Sequence, residues 1–418
     1  MSILIRDVRI IDGKSKAALE NGWVLIRNAV IEDVGVGGKE AEKDAGARII
    51  DGRGCTLLPG MMNLHVHIQR RHLHKPKEGT SGLFRVGAPA IEGLPPSKRM
   101  AWAIKNAYDH LKRGITTLRD TGSNDLISSD LRDLFKEGIL KGPTIISSGE
   151  GVGMTGGHGD HRAPPNSRRV ADGADEIRKA VRWQLKAGAD WIKLMASGGM
   201  GGMPEHEDPR YVEYGLEELR AGVEEAHKRW RPVTVHAYAT QGIKNSIEAG
   251  VDCVEHGVIM DEETVSMMKK NNVSYVPTMT GMYNLYAREK KAGNDDFADL
   301  LEKVVIEPHK RTVTMAHKAG VRIGTGTDTL GEDIQEIQML HECGMTAMEA
   351  IQASTRVSAE IVKIQDRVGA VEKGKCADLV VVEGNPLENL EFLRKIRHVF
   401  KNGEEVNGQF YESSLLTF

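Results

Sequence analysis

The sequence predicts an α/β fold: a (β/α)8 TIM barrel joined to a small β-sandwich domain that is built from both ends of the chain. Eight strand-like segments alternate with segments in which apolar residues recur three and four positions apart, as in helices. Such alternation is typical of a barrel, whereas a doubly wound open sheet, the alternative, would not bring eight strand ends around one axis. We therefore predict the barrel at residues 59–364 and the β domain at residues 1–58 and 365–418.

The terminal domain is predicted from strands that follow one another through turns, with no helix between them. Asp-Gly pairs at 12–13 and 51–52 mark turns near the start of the chain, and an Asn-Gly pair at 402–403 marks one in the tail. The simplest arrangement pairs tail strands at 377–382 and 396–400 with the N-terminal strands in one small sheet.

In the barrel, the strands are apolar runs, and glycine closes several of the helices between them. Gly114, Gly188, Gly250 and Gly320 occupy such positions. Helical patterns cover residues 98–111, 174–186, 216–229 and 261–270. The eight predicted strands are 62–68, 115–120, 144–148, 191–196, 233–237, 253–256, 275–279 and 321–325.

Composition excludes several classes of function. A net charge of −3 and an aromatic content of 5% give no basis for nucleic-acid binding. Charged residues follow the first residues too soon for a signal peptide, and no apolar run has the length of a membrane span. The four cysteines form no CxxC pair and are expected to be buried, reduced thiols. We expect a cytoplasmic homo-oligomer that acts on a small-molecule or peptide substrate and binds neither nucleic acid nor membrane.

Candidate metal ligands lie at the C-terminal ends of the predicted strands, the working face of a parallel barrel. His65 and His67 end the first strand, where residues two apart point to the same side. Each group alone has a structural alternative: the histidine pair can be solvated or packed in the core, and Asp328 can cap the next helix. Together they predict a metal site formed by six residues, which are His65, His67, Lys193, His236, His256 and Asp328.

Lys193 has apolar neighbours in the fourth strand, so it must lose its charge or find a partner. An ammonium beside two divalent cations would be repelled, whereas capture of carbon dioxide by the neutral amine would give a carbamate that bridges two metals. The alternative is an ion pair with a nearby carboxylate. Nitrogen and oxygen ligands fit Zn²⁺ best, with Mn²⁺, Co²⁺ or Fe²⁺ as alternatives. Two such metals would share a hydroxide at neutral pH, and we expect Asp328 to take its proton and deliver it to the leaving nitrogen.

Residues 59–67, Pro-Gly-Met-Met-Asn-Leu-His-Val-His, resemble the opening motif of the amidohydrolase superfamily. The lysine, the two later histidines and the aspartate at strands 4, 5, 6 and 8 also have counterparts there, so the resemblance covers nearly the whole chain. It implies that one metal is bound by His65, His67 and Asp328, that the other is bound by His236 and His256, and that carboxylated Lys193 bridges the two.

Segments 116–120, 155–158, 192–199 and 236–238 are similar to a branch of prolidase-like and Xaa-Arg/Lys-type dipeptidases, which also contains enzymes cleaving N-acyl amino acids such as ochratoxin. The similarity implies hydrolysis of an amide bond to a C-terminal amino acid, in a dipeptide or an N-acyl amino acid, by a metal-bridging hydroxide. It implies that Tyr238 holds the substrate. His158 is a candidate catalytic and substrate-binding residue that donates to the scissile carbonyl or the substrate carboxylate. A role in loop structure is the alternative for both.

Other activities of the superfamily remain alternatives: a deaminase, a cyclic-amide hydrolase, a phosphotriesterase or a lactonase. Deaminases of this superfamily generally use one metal and lack the strand-4 lysine, so Lys193 favours a binuclear hydrolase. A scaffold protein without activity is a further alternative, which the complete ligand set disfavours. The basic loop at 69–75 matches no clear motif. Four other histidines are expected not to be ligands, namely His72, His74, His161 and His206.

Overall fold

The computed structural model describes residues 2–37, 46–70, 94–160, 168–200, 203, 207–329, 331–408 and 410. Within these ranges the chain is α/β with parallel sheets, which confirms the predicted class at this level. The strands are β1 (Ser2–Ile10), β2 (Leu19–Arg27), β3 (Val30–Val36), β4 (Arg48–Asp51), β5 (Cys55–Pro59), β6 (Met61–Val66), β7 (Ile115–Asp120), β8 (Thr144–Ser147), β9 (Gly151–Gly153), β10 (Arg168–Val170), β11 (Ile192–Met195), β12 (Val233–Ala237), β13 (Cys253–His256), β14 (Ser274–Val276), β15 (Leu379–Glu383), β16 (Ile396–Lys401) and β17 (Glu404–Glu405).

One sheet of eight strands joins the N-terminal and C-terminal parts of the chain. Its order is β17-β16-β15-β5-β1-β2-β3, and β4 also pairs with β1. The C-terminal part of the chain joins this sheet through β15, which runs antiparallel to β5 with Leu379 opposite Pro59. Ile5, Val24 and Val381 are among the buried apolar side chains that form one core cluster with contributions from both parts of the chain. The tail strands therefore pair with the N-terminal strands, as predicted.

Gly60 carries the chain from this sheet directly into the parallel strands. Its N–H donates to the carbonyl of Asp378 (2.8 Å), and a Cβ at this position would overlap the side chain of Thr116. A glycine is therefore required for β5 and β6 to follow each other without a loop. The domain boundary predicted at residues 58 and 59 stays a prediction.

The parallel strands form two sheets, β6-β7-β8 and β10-β9-β11-β12-β13-β14. Seven of the eight predicted barrel strands overlap strands of these sheets. The seventh was predicted to reach Met279 but ends at Val276, because Pro277 and the left-handed Thr278 (φ 57°) turn the chain into a helix. β9 and β10 were not predicted, because each has only three residues and β9 contains two glycines.

The eighth predicted strand, 321–325, differs most from the prediction. It forms only an isolated bridge, between Ile323 and Tyr275, instead of a ladder. Backbone bonds nevertheless link it to both sheets: Gly324 N donates to Tyr275 O (2.9 Å), and Leu64 N donates to Thr325 O (2.8 Å). Ile361, from the helix Ser358–Ile361, packs closely against this segment, because a Cβ at Gly324 would lie only 2.8 Å from Ile361 Cδ1. At the other edge of the three-stranded sheet, Trp191 N, next to β11, donates to Ser147 O in β8 (3.2 Å). This bond also links the two sheets.

Helices pack around the parallel strands through one buried face. In the helix beginning at Gly173, Ile177, Ala180, Val181 and Gln184 are buried, which is the spacing of one helical face. The helices are α1 (Pro96–Lys112), α2 (Ile127–Lys136), α3 (Gly173–Lys186), α4 (Leu216–His227), α5 (Thr240–Ala249), α6 (Glu262–Lys270), α7 (Met279–Lys291), α8 (Asp295–Leu301), α9 (Glu307–Lys318), α10 (Asp333–Glu342), α11 (Ala347–Gln352) and α12 (Ser358–Ile361), with π-helical turns at Glu302–Ile306 and Ala353–Val357 and 3-10 turns at Asn124–Leu126 and Leu390–Arg394.

None of the helices in the described ranges combines the length and apolar character needed to cross a bilayer. All four cysteines are free, as predicted. Cys253 and Cys343 are buried, but Cys55 and Cys376 are only partly buried, which corrects the expectation that all four lie in the core.

Candidate metal centre

The predicted histidine pair lies at the C-terminal end of β6. His65 and His67 are buried, and their ring centroids are 5.4 Å apart. The strand is held in place on this side because Asn63 Oδ1 accepts from His65 N (3.1 Å) and Asn63 Nδ2 donates to Thr327 Oγ1 (2.6 Å). The period-two arrangement predicted from the sequence is therefore observed.

Asp328 lies beside this pair. His67 Nδ1 donates to the carbonyl of Gly122 (2.9 Å), so the other ring nitrogen, Nε2, faces Asp328 Oδ1 at 3.5 Å. Burial would raise the pKa of Asp328, but the imidazoles of His65 and His67 hold it well below its usual range. Asp328 does not cap the next helix, since Glu332 accepts the first N–H groups of α10. The carboxylate is therefore ionised and directed at the histidines.

His256 and His236 complete a cluster of imidazoles. The ring of His256 lies 4.8 Å from that of His65 and 4.6 Å from that of His236. Thr278 Oγ1 donates to the Pro277 carbonyl (2.6 Å), so it accepts from His256 Nδ1 (2.7 Å) and leaves Nε2 to face the cluster. Burial, with the neighbouring imidazoles of His236 and His65, holds the pKa of His256 well below its usual range. It is neutral, the form that binds metals.

Lys193 enters the cluster from β11 and is 1% exposed. Its Nζ donates to Glu255 Oε2 (2.5 Å), and the same oxygen contacts His65 Nδ1. The structure thus places Lys193 with the other predicted ligands, in the ion pair that was its alternative. Carboxylation of Lys193 stays a prediction.

Glu255 was not predicted from the sequence, although it is the centre of this network. Its second oxygen, Oε1, accepts from Arg119 (2.8 Å) and from Thr234 Oγ1 (2.6 Å). Burial raises the pKa of Glu255, but neighbouring positive groups, first His65 and then Lys193, overcome this and hold it well below its usual range. Cys253 and Glu255 point to the same face of β13, as residues two apart on a strand do, and Arg119 contacts both. His256 would be expected on the opposite face, but its left-handed backbone (φ 67°) breaks the alternation.

Within the described ranges, two groups of side chains have ligand atoms within 4.8 Å of one another: His65 with His67 and Asp328, and His65 with Glu255 and His256. The first group is the set expected for one metal. The donors are imidazole nitrogens and carboxylate oxygens, and for His67 and His256 the outer ring nitrogen is already tied to the protein, as in zinc sites. His65 Nδ1 is buried against Glu255 Oε2, so its other ring nitrogen, Nε2, is the one left to coordinate. The residues therefore fit a divalent cation such as Zn²⁺.

The two candidate substrate residues lie against the same cluster. The ring of His158 is stacked on that of His236, 3.9 Å away at 12°, and its Nδ1 is bonded to Glu207 Oε1 (2.5 Å). The ring of Tyr238 lies 4.9 Å from that of His256. Burial and the charges of Asp328 and Glu207 raise the pKa of Tyr238 well above its usual value, so its hydroxyl keeps its proton.

Comparison of the whole sequence with known protein families identifies the family. The amidohydrolase family matches residues 56–406. The chain belongs to the amidohydrolase family.

Relatives of this amidohydrolase lie in the branch expected from its motifs. The ochratoxinase of Aspergillus niger is 30% identical, over 93% of this chain and 84% of that protein. A solved Xaa-Pro dipeptidase with methionine bound in its active site is 32% identical, with a TM-score of 0.86 over 98% of this chain and 100% of that one. A prolidase complexed with N-methylphosphonate-L-proline is 28% identical, with a TM-score of 0.84 over 97% and 100%. The amidohydrolase is thus a hydrolase that acts on C–N bonds.

Some predicted features of the amidohydrolase cannot be compared with the structure. His72, His74, His161 and His206 lie outside the described residues, as does most of the basic loop at 69–75. Arg70, which is described, donates from Nη1 to Thr329 Oγ1 (3.1 Å) beside Asp328. This part of the loop therefore contacts the rim of the site.

Proposed function

We propose that this amidohydrolase cleaves the amide bond to a C-terminal amino acid, in a dipeptide or an N-acyl amino acid. The observation that carries the proposal is the convergence of all six predicted ligands, from five separate segments of the chain, on one cluster. The relatives support the substrate class: one is an ochratoxinase, one holds the free amino acid methionine, and one holds a phosphonate of proline.

Two divalent cations, of which zinc suits the donors best, would be held in this cluster. We assign one to His65, His67 and Asp328, and the other to His236 and His256, with carboxylated Lys193 between them. Bound there, such cations supply a hydroxide at neutral pH by lowering the pKa of a shared water. Carboxylation requires Lys193 to leave Glu255, which would still accept from Arg119 and Thr234 through Oε1.

Protein side chains would transfer the proton and bind the substrate. Asp328 is ionised, so it can accept a proton at a carboxylate oxygen and deliver it to the leaving nitrogen. His158 and Tyr238 flank the imidazole cluster and are placed to bind substrate oxygens. Tyr238 is suited to donate, because among the described residues its hydroxyl donates to the weak acceptor Met282 Sδ (3.1 Å), which a substrate oxygen would replace.

The test is a substrate screen with controlled metal content. Protein stripped by a chelator and reloaded with Zn²⁺ is offered dipeptides and N-acyl amino acids, and release of the free amino acid is measured. A cyclic amide and a phosphotriester are assayed in parallel. We expect amino-acid release that rises with zinc up to two equivalents per chain. Hydrolysis of the cyclic amide or phosphotriester, with every linear amide left intact, would contradict the proposal.

The architecture expected from the sequence is part of the proposal. We infer that the two parallel sheets are portions of one (β/α)8 barrel spanning residues 59–364, joined where backbone bonds link their edges. We also infer that residues 1–58 and 365–418 form one small β domain, which their shared sheet supports.

A further inference from the structure

A buried carboxylate contacts His158 from the loop that follows β11. Only 3% of the Glu207 side chain is exposed. Its Oε1 accepts two hydrogen bonds, from His158 Nδ1 and from Gly199 N, each 2.5 Å long. Burying a carboxylate is unfavourable unless it is bonded to donors, and here one of the donors is a histidine at the edge of the candidate metal centre.

The backbone around His158 is adapted to this contact. A Cβ on Gly199 would lie 2.7 Å from His158 Nδ1 and 2.8 Å from its Cε1. Only glycine therefore lets the loop after β11 approach the ring this closely. From the same loop, Glu213 Oε1 accepts from the backbone N–H of His158 (2.7 Å). The loop thus holds both the main chain and the side chain of His158.

This contact fixes the orientation of the imidazole. One face of the ring is covered by His236, with a centroid distance of 3.9 Å and an angle of 12°. Nδ1 is engaged by Glu207, so a substrate atom that meets His158 in the plane of the ring meets Nε2. Rotating the ring by half a turn about its Cβ–Cγ bond would put Cδ2 against Glu207 and Cε1 where Nε2 had been, so the bond to Glu207 would be lost and no nitrogen would face the substrate. The geometry therefore selects one ring nitrogen for the substrate.

We infer that Glu207 is a positioning residue for substrate binding: it holds the ring of His158 so that Nε2 meets an oxygen of the substrate. The inference rests on the proposed function, because it takes His158 as a substrate-binding residue. It goes further by assigning a role to Glu207 and by making glycine at position 199 a requirement for activity and not only for folding.

The test is a double-mutant cycle on the zinc-loaded full chain with the best substrate of the screen. Glu207→Ala is expected to lower kcat/KM about tenfold or more, the effect of losing a hydrogen bond to a charged group. In a His158→Ala background the same change should have almost no further effect. Glu207→Gln keeps an oxygen acceptor and should stay within about threefold of wild type.

Gly199→Ala tests the same geometry without changing any charge, and it should reproduce the Glu207→Ala defect. Gly153→Ala is its matched control, because a Cβ there meets only ordinary contacts, the nearest being Met195 Cγ at 3.4 Å. Asp208→Asn is the charge control, since Asp208 pairs with the exposed Arg210. Both controls should keep wild-type kcat/KM.

Hydrogen exchange measured by mass spectrometry gives a readout that needs no turnover. Residues 153–160 should exchange faster in Glu207→Ala than in Asp208→Asn, because the His158 anchor is lost. Equal effects of Glu207→Ala in the presence and absence of His158 would overturn the inference, as would wild-type kcat/KM in Glu207→Ala. Absence of amide hydrolysis by the wild type would instead refute the proposed function.

Discussion

Replacing Glu255 with glutamine removes a negative charge that the buried Arg119 and Lys193 side chains both contact. Arg119 is 0% exposed and Lys193 is 1% exposed, and both bond to the Glu255 carboxylate at 2.8 and 2.5 Å. Lys193 can respond by losing its proton, but Arg119 cannot. The expected loss is therefore that of one buried pair with a partner removed, about 3–5 kcal/mol of unfolding free energy.

The assay is urea unfolding of the metal-free protein, in which the midpoint should fall by roughly 1 M or more. Glu225→Gln is the control, since Glu225 also pairs with two cations, Arg182 and Lys228, but these are 62% and 61% exposed. Surface pairs of this kind contribute about 1 kcal/mol or less.

A second variant separates the charge effect from the loss of hydrogen bonds. Changing Arg119 to Met and Glu255 to Leu together removes the uncompensated guanidinium, so the double variant should be more stable than Glu255→Gln alone. The reasoning would be refuted if Glu255→Gln lost less than about 1 kcal/mol, or if the double variant were the less stable of the two.

Further predictions concern the metal centre, the substrate and the pH dependence of folding. Asp328→Asn should keep its metal and lose nearly all turnover; a near-normal kcat with measured metal content would contradict a proton-carrying role. Lys193→Ala should bind less metal and be partly rescued by a short carboxylic acid, whereas full occupancy without the acid would argue against the carbamate. Tyr238→Phe should raise KM more than it lowers kcat, and unchanged kinetics would remove Tyr238 from the site. Burial raises the pKa of Glu336 from 4.5 to about 7, so between these pH values the unfolded chain ionises first and wild-type stability falls as pH rises. Glu336→Gln lacks this loss, and relative to wild type it should gain about 3 kcal/mol between pH 4.5 and 8; a difference independent of pH would show that Glu336 is ionised in the fold.

The clustering of the predicted side chains could be foreseen from the sequence because their positions follow from strand geometry. His65 and His67 share a strand face through their spacing, and His236 and His256 end neighbouring parallel strands, so a common rim brings all four together. No long-range information beyond the strand order was needed.

What sequence reasoning missed depends on local backbone or on loops. Glu255 was missed because His256 was assigned to the face of β13 that points at the site, whereas the left-handed backbone of His256 (φ 67°) lets both side chains reach it. Glu207 reaches His158 from a loop with no periodic pattern. The segment 321–325 was expected to form a ladder, but its glycine packs too closely against Ile361 for regular pairing to be inferred from apolar content alone.

The pairing of β5 with β15 has a consequence for protein synthesis. Leu379 lies opposite Pro59 in the antiparallel pair, and Gly60 connects β5 to β6, which carries His65. On the ribosome, β5 can gain this neighbour only after residue 383 has emerged, long after His65 and His67 have been translated. A chain that stops before β15 therefore carries these histidines next to a strand that lacks one of its partners.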